Sequence, residues 1–265
     1  MWKNDKKSSI CFLFRNFAFR YFTIMKIALI GYGKMGHAVE ETALQRGHTV
    51  VCTVDNDAEW TSKEALLRQA EMAVEFSTPA TAVDNLRRCF ALGLPVVSGT
   101  TGWDASRDEV EKECRAGGHT MLTASNFSIG MNIMFALNRQ LARLMRVGDR
   151  SGANKSERLV GEDYSASICE THHIHKLDAP SGTAITLQNQ IVECGGRKAE
   201  SIPIESIREG EVPGTHTVTY DSEIDTITLT HEAHSRKGLA LGAVLAAEWL
   251  LGAGSGVYTM NDLFV

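Results

Sequence analysis

The densest chemistry in the chain lies in Glu170-Thr171-His172-His173-Ile174-His175-Lys176-Leu177-Asp178-Ala179-Pro180-Ser181-Gly182-Thr183-Ala184. Three histidines, a lysine and two acids fall within nine residues of that run. Imidazoles titrate near neutrality and an ammonium donates protons, so the group suits proton transfer to an atom beside a centre that receives hydride. Ser181-Gly182-Thr183 stands just before a helical pattern, where amides and hydroxyls hold a carboxylate. A cationic cluster beside such a helix start fits a dianionic small molecule. Two other readings compete. His172, His173 and His175, with His231 and His234 later in the chain, are zinc-ligand types. Adjacent histidines on a strand point to opposite faces, however, so one strand does not present all three, and no metal is expected. The other reading is a solvated histidine-rich loop.

A second signal is Gly31-Tyr32-Gly33-Lys34-Met35-Gly36, directly after the apolar run Ile27–Ile30. Gly31 allows a tight turn, Gly33 lets a pyrophosphate approach the backbone, and Gly36 lets helix and strand pack closely. Asp55 closes the next apolar run, where an acid that binds ribose hydroxyls belongs. A third signal, Gly99-Thr100-Thr101-Gly102, ends another short strand, at the sheet edge that faces ligand in open α/β folds. Taken alone it would be an ordinary turn.

These residues need a scaffold, and the pattern supplies one. Strands are expected at Lys26–Ile30, Thr49–Val54, Ala73–Phe76 and Leu94–Ser98, with helices over His37–Arg46 and Ala82–Leu92 between them. Ser77-Thr78-Pro79 starts the second helix. This alternation predicts an α/β fold, a Rossmann-type parallel doubly wound sheet. After Asn126 the pattern changes. A long amphipathic helix covers Ile129–Met145, a strand Ser165–Glu170, and a helix Ala184–Cys194. Ile202–Ile207, His216–Asp221 and Thr226–His231 alternate like antiparallel strands. A closing helix spans Leu239–Leu251. The expected organisation is a dinucleotide-binding domain over 25–125, rejoined by 238–265, and a second α+β domain over 126–237 for substrate binding and oligomerisation.

Composition agrees with a soluble enzyme. The 265 residues are 43% hydrophobic and 22% charged, near globular averages, which excludes a disordered or fibrous chain. Net charge is −5, which argues against a nucleic-acid binder. Residues 1–24 carry Lys3, Lys6, Lys7, Arg15 and Arg20 against Asp5, so the remainder is more acidic still. That segment lacks a cleavage site, and Arg15 and Arg20 break its apolar stretch, so neither a signal peptide nor a membrane span is expected. It reads as an extension outside the core, with Met25 as the functional start. The six cysteines show no CxxC or zinc spacing and read as reduced thiols in a cytoplasmic protein.

Together, GYGKMG at 31–36, GTTG at 99–102, ASNFSIGMN at 124–132 and ETHHIHKLDAPSGTA at 170–184 resemble the 4-hydroxy-tetrahydrodipicolinate reductase family, also called dihydrodipicolinate reductase. The resemblance runs from about Met25 to Val265, and Ser235-Arg236 before the last helix also fits it. It implies reduction of a cyclic dicarboxylate precursor to tetrahydrodipicolinate, with loss of water, by NADH or NADPH, in a cytoplasmic homotetramer of lysine and diaminopimelate synthesis. It implies His172 as proton donor/acceptor and Lys176 as proton donor. His173, Lys176, Gly182, Thr183 and Thr101 become substrate contacts. Gly31, Tyr32, Gly33, Lys34, Met35, Gly36, Asp55, Phe76, Gly99, Thr100, Thr101, Ala124, Ser125, Asn126, Phe127 and Arg236 become cofactor contacts. Family members that use NADPH well commonly carry an arginine after the ribose acid. Here neutral Asn56 follows Asp55, Asp57 adds negative charge, and Lys34 is the local cation, so NADH is the expected preference. The polar stretch Arg146–Glu162 looks longer than the family has there, and Ile202–Asp221 shorter. A different nicotinamide dehydrogenase, or a non-catalytic dinucleotide sensor, are the competing functions. The 170–184 motif weighs against the first, and the presence of His172 and Lys176 against the second.

Overall fold

The computed structural model describes residues 23–147, 160–235 and 237–264. The basic segment 1–22, residues 148–159 of the polar stretch, and Arg236 lie outside these. The chain forms two compact units, one running to Phe127 and resuming at Leu239, the other spanning Ser128–Gly238.

In the first unit, β1 (Lys26–Ile30), β2 (Thr49–Val54), β3 (Met72–Glu75), β4 (Val96–Ser98), β5 (Thr120–Thr123) and β10 (Gly256–Tyr258) form one sheet in the order β10-β5-β4-β3-β1-β2. All its pairings are parallel. The apolar runs are buried on both faces, as a sheet flanked by helices requires. The intervening helices are α1 (Lys34–Gln45), the short α2 (Asp57–Ser62) and α3 (Glu64–Leu67), α4 (Pro79–Ala91) and α5 (Arg107–Ala116). Strand order reverses between β1 and β3, so the loops at the carboxyl ends of the strands border a topological switch point.

The second unit is a four-stranded sheet, β7 (Ile204–Arg208), β6 (Ser165–His172), β8 (Thr215–Asp221) and β9 (Thr226–Glu232), with helices α6 (Ile129–Leu144) and α7 (Gly182–Gly195). The helix α8 (Lys237–Leu250) leads the chain into the first unit. Met131, Met134, Phe135, Leu187 and Ile191 of the helices pack with Ala166, Ile168, Val218 and Tyr220 of the sheet. The two-residue period of β6 decides which polar groups join this core. Ala166, Ile168, Glu170 and His172 are buried, whereas Ser165, Ser167, Cys169 and Thr171 face the other way.

One expected pairing is corrected. The segment within Ile202–Ile207 reads as antiparallel, yet β7 pairs parallel with β6, Glu170 opposite Ser206 and His172 opposite Arg208. The cause is the connection: α7 intervenes between the two strands, and a helical crossover returns the chain in the same direction. The pairings β6–β8 and β8–β9 are antiparallel.

Candidate active site

Each unit carries its own cluster of functional side chains. In the first, Gly31 has φ +88°, and a Cβ there would collide with the Phe76 carbonyl. Gly36 leaves room for the Gly31 carbonyl, 2.5 Å from where its Cβ would lie. Gly33 caps α1 without any side-chain hydrogen bond, and nothing stands within 4 Å of its missing Cβ. A helix N-terminus opening onto clear space, with no side chain to fill it, fits a pyrophosphate. Tyr32 N–H donates to Asp55 Oδ1 at 2.8 Å, which ties the glycine loop to the acid at the end of β2. Lys34 is exposed and Met35 half-buried.

The neighbouring loops are organised by Glu75, the last residue of β3 and wholly buried. Its carboxylate accepts from Ser98 Oγ at 2.5 Å, Thr100 Oγ1 at 2.7 Å, Ser77 N–H at 3.0 Å and the Ser77 hydroxyl. A Cβ at Gly99 would enter the Phe76 ring. Phe76 meets Phe127 edge-on at 5.7 Å. The Ala124 amide bonds the Ser98 carbonyl at 3.2 Å. Phe76, Gly99, Thr100 and Phe127 are thus bound into one network, with Ala124 tied to β4; Thr101 and Ser125 are exposed beside it and Asn126 half-buried.

Around Asp55 the charges differ from the simple sequence picture. Asp57 is not an unopposed negative charge: Arg88 pairs with it at 2.7 Å. Glu59 accepts from the Asp55 amide at 2.8 Å and pairs with Lys63 at 3.1 Å. Asn56 caps α2 by accepting from Glu59 N–H at 3.2 Å.

In the second unit the cluster is built on the buried face of the sheet. His172 Nδ1 bonds the Glu170 carboxylate. Arg208 Nη2 reaches the other Glu170 oxygen at 3.0 Å, and the Ser181 amide reaches it at 3.3 Å. Arg208 also donates to the Asp178 carbonyl at 2.6 Å and the Lys176 carbonyl at 3.3 Å, so it holds the turn after β6. Ser181 caps α7, its Oγ accepting from Ala184 N–H at 3.2 Å, and the same oxygen lies 3.2 Å from His216 Nε2. Nothing stands within 4 Å of a Cβ built at Gly182, and Thr183 beside it is half-buried. Lys176 Nζ donates to Asp178 at 2.8 Å, which holds the Asp178 carboxyl below the ordinary range. His173 follows the strand, its amide bonded to the Val212 carbonyl at 2.8 Å.

Burial lowers the His172 imidazole below its usual value; the Glu170 charge works in the opposite direction without prevailing. Burial also disfavours the charged form of Glu170, but its neighbours Ser206, Arg208 and His172 bring the carboxyl below the ordinary range. His216, almost wholly enclosed and facing His172, is lowered to about 4 by burial. Glu170 and His172 thus form a charged acceptor and a neutral imidazole at pH 7. The atoms of Glu170, His172 and His216 lie within 4.8 Å of one another, a spacing that would also suit a metal. Each is already engaged, with Arg208, Glu170 and Ser181 respectively, and we read the group as a hydrogen-bond network.

The family comparison is decisive. The sequence profile of the dihydrodipicolinate reductase N-terminus matches residues 25–127, and that of the C-terminus matches residues 130–264. The chain belongs to the dihydrodipicolinate reductase family. Among relatives, the 4-hydroxy-tetrahydrodipicolinate reductase of Christiangramia forsetii is 44% identical over 248 residues, 90% of this chain and 97% of the relative. That of Akkermansia muciniphila is 33% identical, covering 87% and 94% of the two chains. Among solved structures, a dipicolinate-bound dihydrodipicolinate reductase from Paenisporosarcina sp. TG-14 shares the fold with a TM-score of 0.72 at 19% identity, covering 90% of this chain and 99% of that one. An amine dehydrogenase from Mycobacterium smegmatis aligns with a TM-score of 0.58 at 12% identity, covering 90% and 96%.

For this family member, the structure brings together His172, Lys176, Gly182 and Thr183 around the start of α7. It gathers the glycine loop with Asp55, and Phe76, Gly99, Thr100 and Phe127 around Glu75. Four residues escaped the sequence reading: Glu75, Arg208 and His216 as site components, and Arg88 as the partner of Asp57. Glu75 had a signal, since one acid within an otherwise apolar four-residue strand has to find donors when buried. Arg208 and His216 had none, because only the register of β7 and β8 beside β6 brings them to Glu170.

Proposed function

We propose that this oxidoreductase performs its family's reaction with Lys176 as proton donor and His172 as proton donor/acceptor. The reaction converts 4-hydroxy-2,3,4,5-tetrahydrodipicolinate to tetrahydrodipicolinate, consuming a hydride and a proton and releasing water, in lysine and diaminopimelate synthesis. NADH or NADPH supplies the hydride when bound. The start of α7, with Gly182, Thr183 and His173, receives one substrate carboxylate, and Lys176 completes the contacts. The observation that carries this reading is the joining of His172, the Lys176 turn and the α7 cap through one buried carboxylate. In the other unit, the glycine loop, Asp55, Phe76, Gly99–Thr101 and Ala124–Phe127 hold the dinucleotide.

NADH is the preferred donor in this proposal. Asn56 is occupied as a helix cap, Glu59 adds a carboxylate beside Asp55, and Arg88 is paired with Asp57. A 2′-phosphate would therefore meet negative charge with Lys34 as its available cation. We further propose a homotetramer assembled through the outer face of the four-stranded sheet. Ser167, Cys169, Thr171, Thr217 and Thr219 line that face, half-buried. A cytoplasmic setting is supported by the free thiols of Cys52, Cys89, Cys114, Cys169 and Cys194. Among the described residues no helix is long and apolar enough to cross a membrane.

The test couples the enzyme to the synthase that supplies its substrate and follows NADH and NADPH oxidation separately. Lys176→Ala and His172→Gln should each lower kcat by about 10²–10⁴-fold, with NADH binding intact. Near-normal turnover in both variants would remove the role assignment.

A further inference from the structure

We propose that Glu170 is a positioning residue for this reaction: its carboxylate orients the His172 imidazole and, through Arg208, holds the turn that carries Lys176. The inference rests on the assignment of His172 and Lys176 above and extends it to a wholly buried side chain that acts through them.

The geometry carries the argument. Glu170 and His172 lie two residues apart on β6, so the pleat sets both side chains on the same buried face. An ionised carboxylate only accepts, so the hydrogen between them sits on His172 Nδ1, and Nε2 is left as the nitrogen that exchanges protons. The space beside that nitrogen is protected. Gly214 has φ +149°, and a Cβ built there would lie 3.0 Å from His172 Nε2. The second Glu170 oxygen serves the other half of the site. It accepts from Arg208, which also donates to the carbonyls of Lys176 and Asp178, and from the Ser181 amide at the start of α7. One buried carboxylate therefore touches His172, Arg208 and the Ser181 amide, and through Arg208 reaches the turn that carries Lys176.

Among the described residues, Glu170 on its own strand, Lys176 in the following turn and Arg208 on β7 act on the charge of His172, and the His216 ring of β8 meets it edge-on. Glu170 is the only one of these that favours the imidazolium. Replacing it with a neutral isostere removes that support and frees the ring to take either tautomer, while the packing volume stays the same.

The experiment compares wild type, Glu170→Gln and His172→Gln in pH profiles of kcat, with KM for NADH measured at each pH. The limb lost in His172→Gln identifies the ionisation of His172. In Glu170→Gln that limb should move toward acid by about one pH unit or more, with kcat reduced about 10–100-fold and KM for NADH unchanged. Glu170→Asp, which keeps the charge, should recover part of the lost kcat. An unmoved limb in Glu170→Gln, or a rise in KM for NADH that matches the fall in kcat, would overturn the proposal. Full turnover with the limb intact in His172→Gln would instead show that the underlying role of His172 is wrong.

Discussion

Among the described residues two glutamates are wholly buried, one on a strand of each sheet, and their surroundings differ in kind. Glu75 ends β3 among the hydroxyls of Ser77, Ser98 and Thr100 and the Ser77 amide, and among the described residues no cation pairs with it. Glu170 sits in β6 against an imidazole and a guanidinium. Removing a carboxylate from water is expensive, and each site offsets that cost differently. Neutral donors around Glu75 knit together loops that the dinucleotide would contact. Charged and titratable donors around Glu170 tie the ionic state of the carboxylate to that of His172, the proposed proton-transfer residue. Burial of an acid is therefore no guide to its role by itself; the chemical type of its donors is.

The comparison breaks most sharply if Glu170 is stripped of its cation. Arg208→Leu would leave a buried carboxylate with its counter-charge gone, and should cost about 3–5 kcal/mol of stability by urea unfolding. A loss below about 1 kcal/mol would mean that Glu170, like Glu75, is held by its neutral donors.

A second difference concerns acid. His216 belongs to the Glu170 side and ionises near 4 in the folded chain, against an ordinary value of 6.5. As pH falls, the unfolded chain takes up this proton first. The share of stability that His216 contributes is thus complete above pH 6.5, declines from 6.5 toward 4, and is lost below 4. The lowering of His172 and His231 acts in the same direction. The His216 contribution should amount to about 3 kcal/mol at most. Unfolding free energies measured from pH 7 to 4 should show a shallower decline in His216→Gln than in wild type, and parallel curves would contradict this.

The smallest effect lies on the Glu75 side of the molecule. Asn56→Arg should move the kcat/KM ratio toward NADPH while costing about 1 kcal/mol through loss of the α2 cap. An unchanged cofactor ratio would show that the residue after Asp55 does not meet the 2′-phosphate.

Much of this arrangement is legible in the sequence, for physical reasons that also explain what is not. The parallel sheet follows from apolar runs alternating with helical patterns, and Gly31 is legible because the turn demands positive φ. The 170–184 motif is legible because its residues are contiguous. The β10 strand, Gly256–Tyr258, was not, since three half-buried residues leave no period to detect. The parallel pairing of β7 was missed because alternation reports which face is buried, not strand direction. Arg208 and His216 became site residues only through lateral register across β6, which no local pattern encodes.

The central claim is that the two buried carboxylates divide the work, Glu75 shaping the dinucleotide loops and Glu170 the proton chemistry. Steady-state kinetics of Glu75→Gln and Glu170→Gln at pH 7, with NADH varied at saturating substrate, tests it most directly. The account predicts that Glu75→Gln raises KM for NADH by about tenfold with kcat within a factor of about 3, as a weakened binding loop would. Glu170→Gln should do the reverse, with kcat down about 10–100-fold and KM for NADH unchanged. The same pattern in both variants, whether in KM or in kcat, would contradict it.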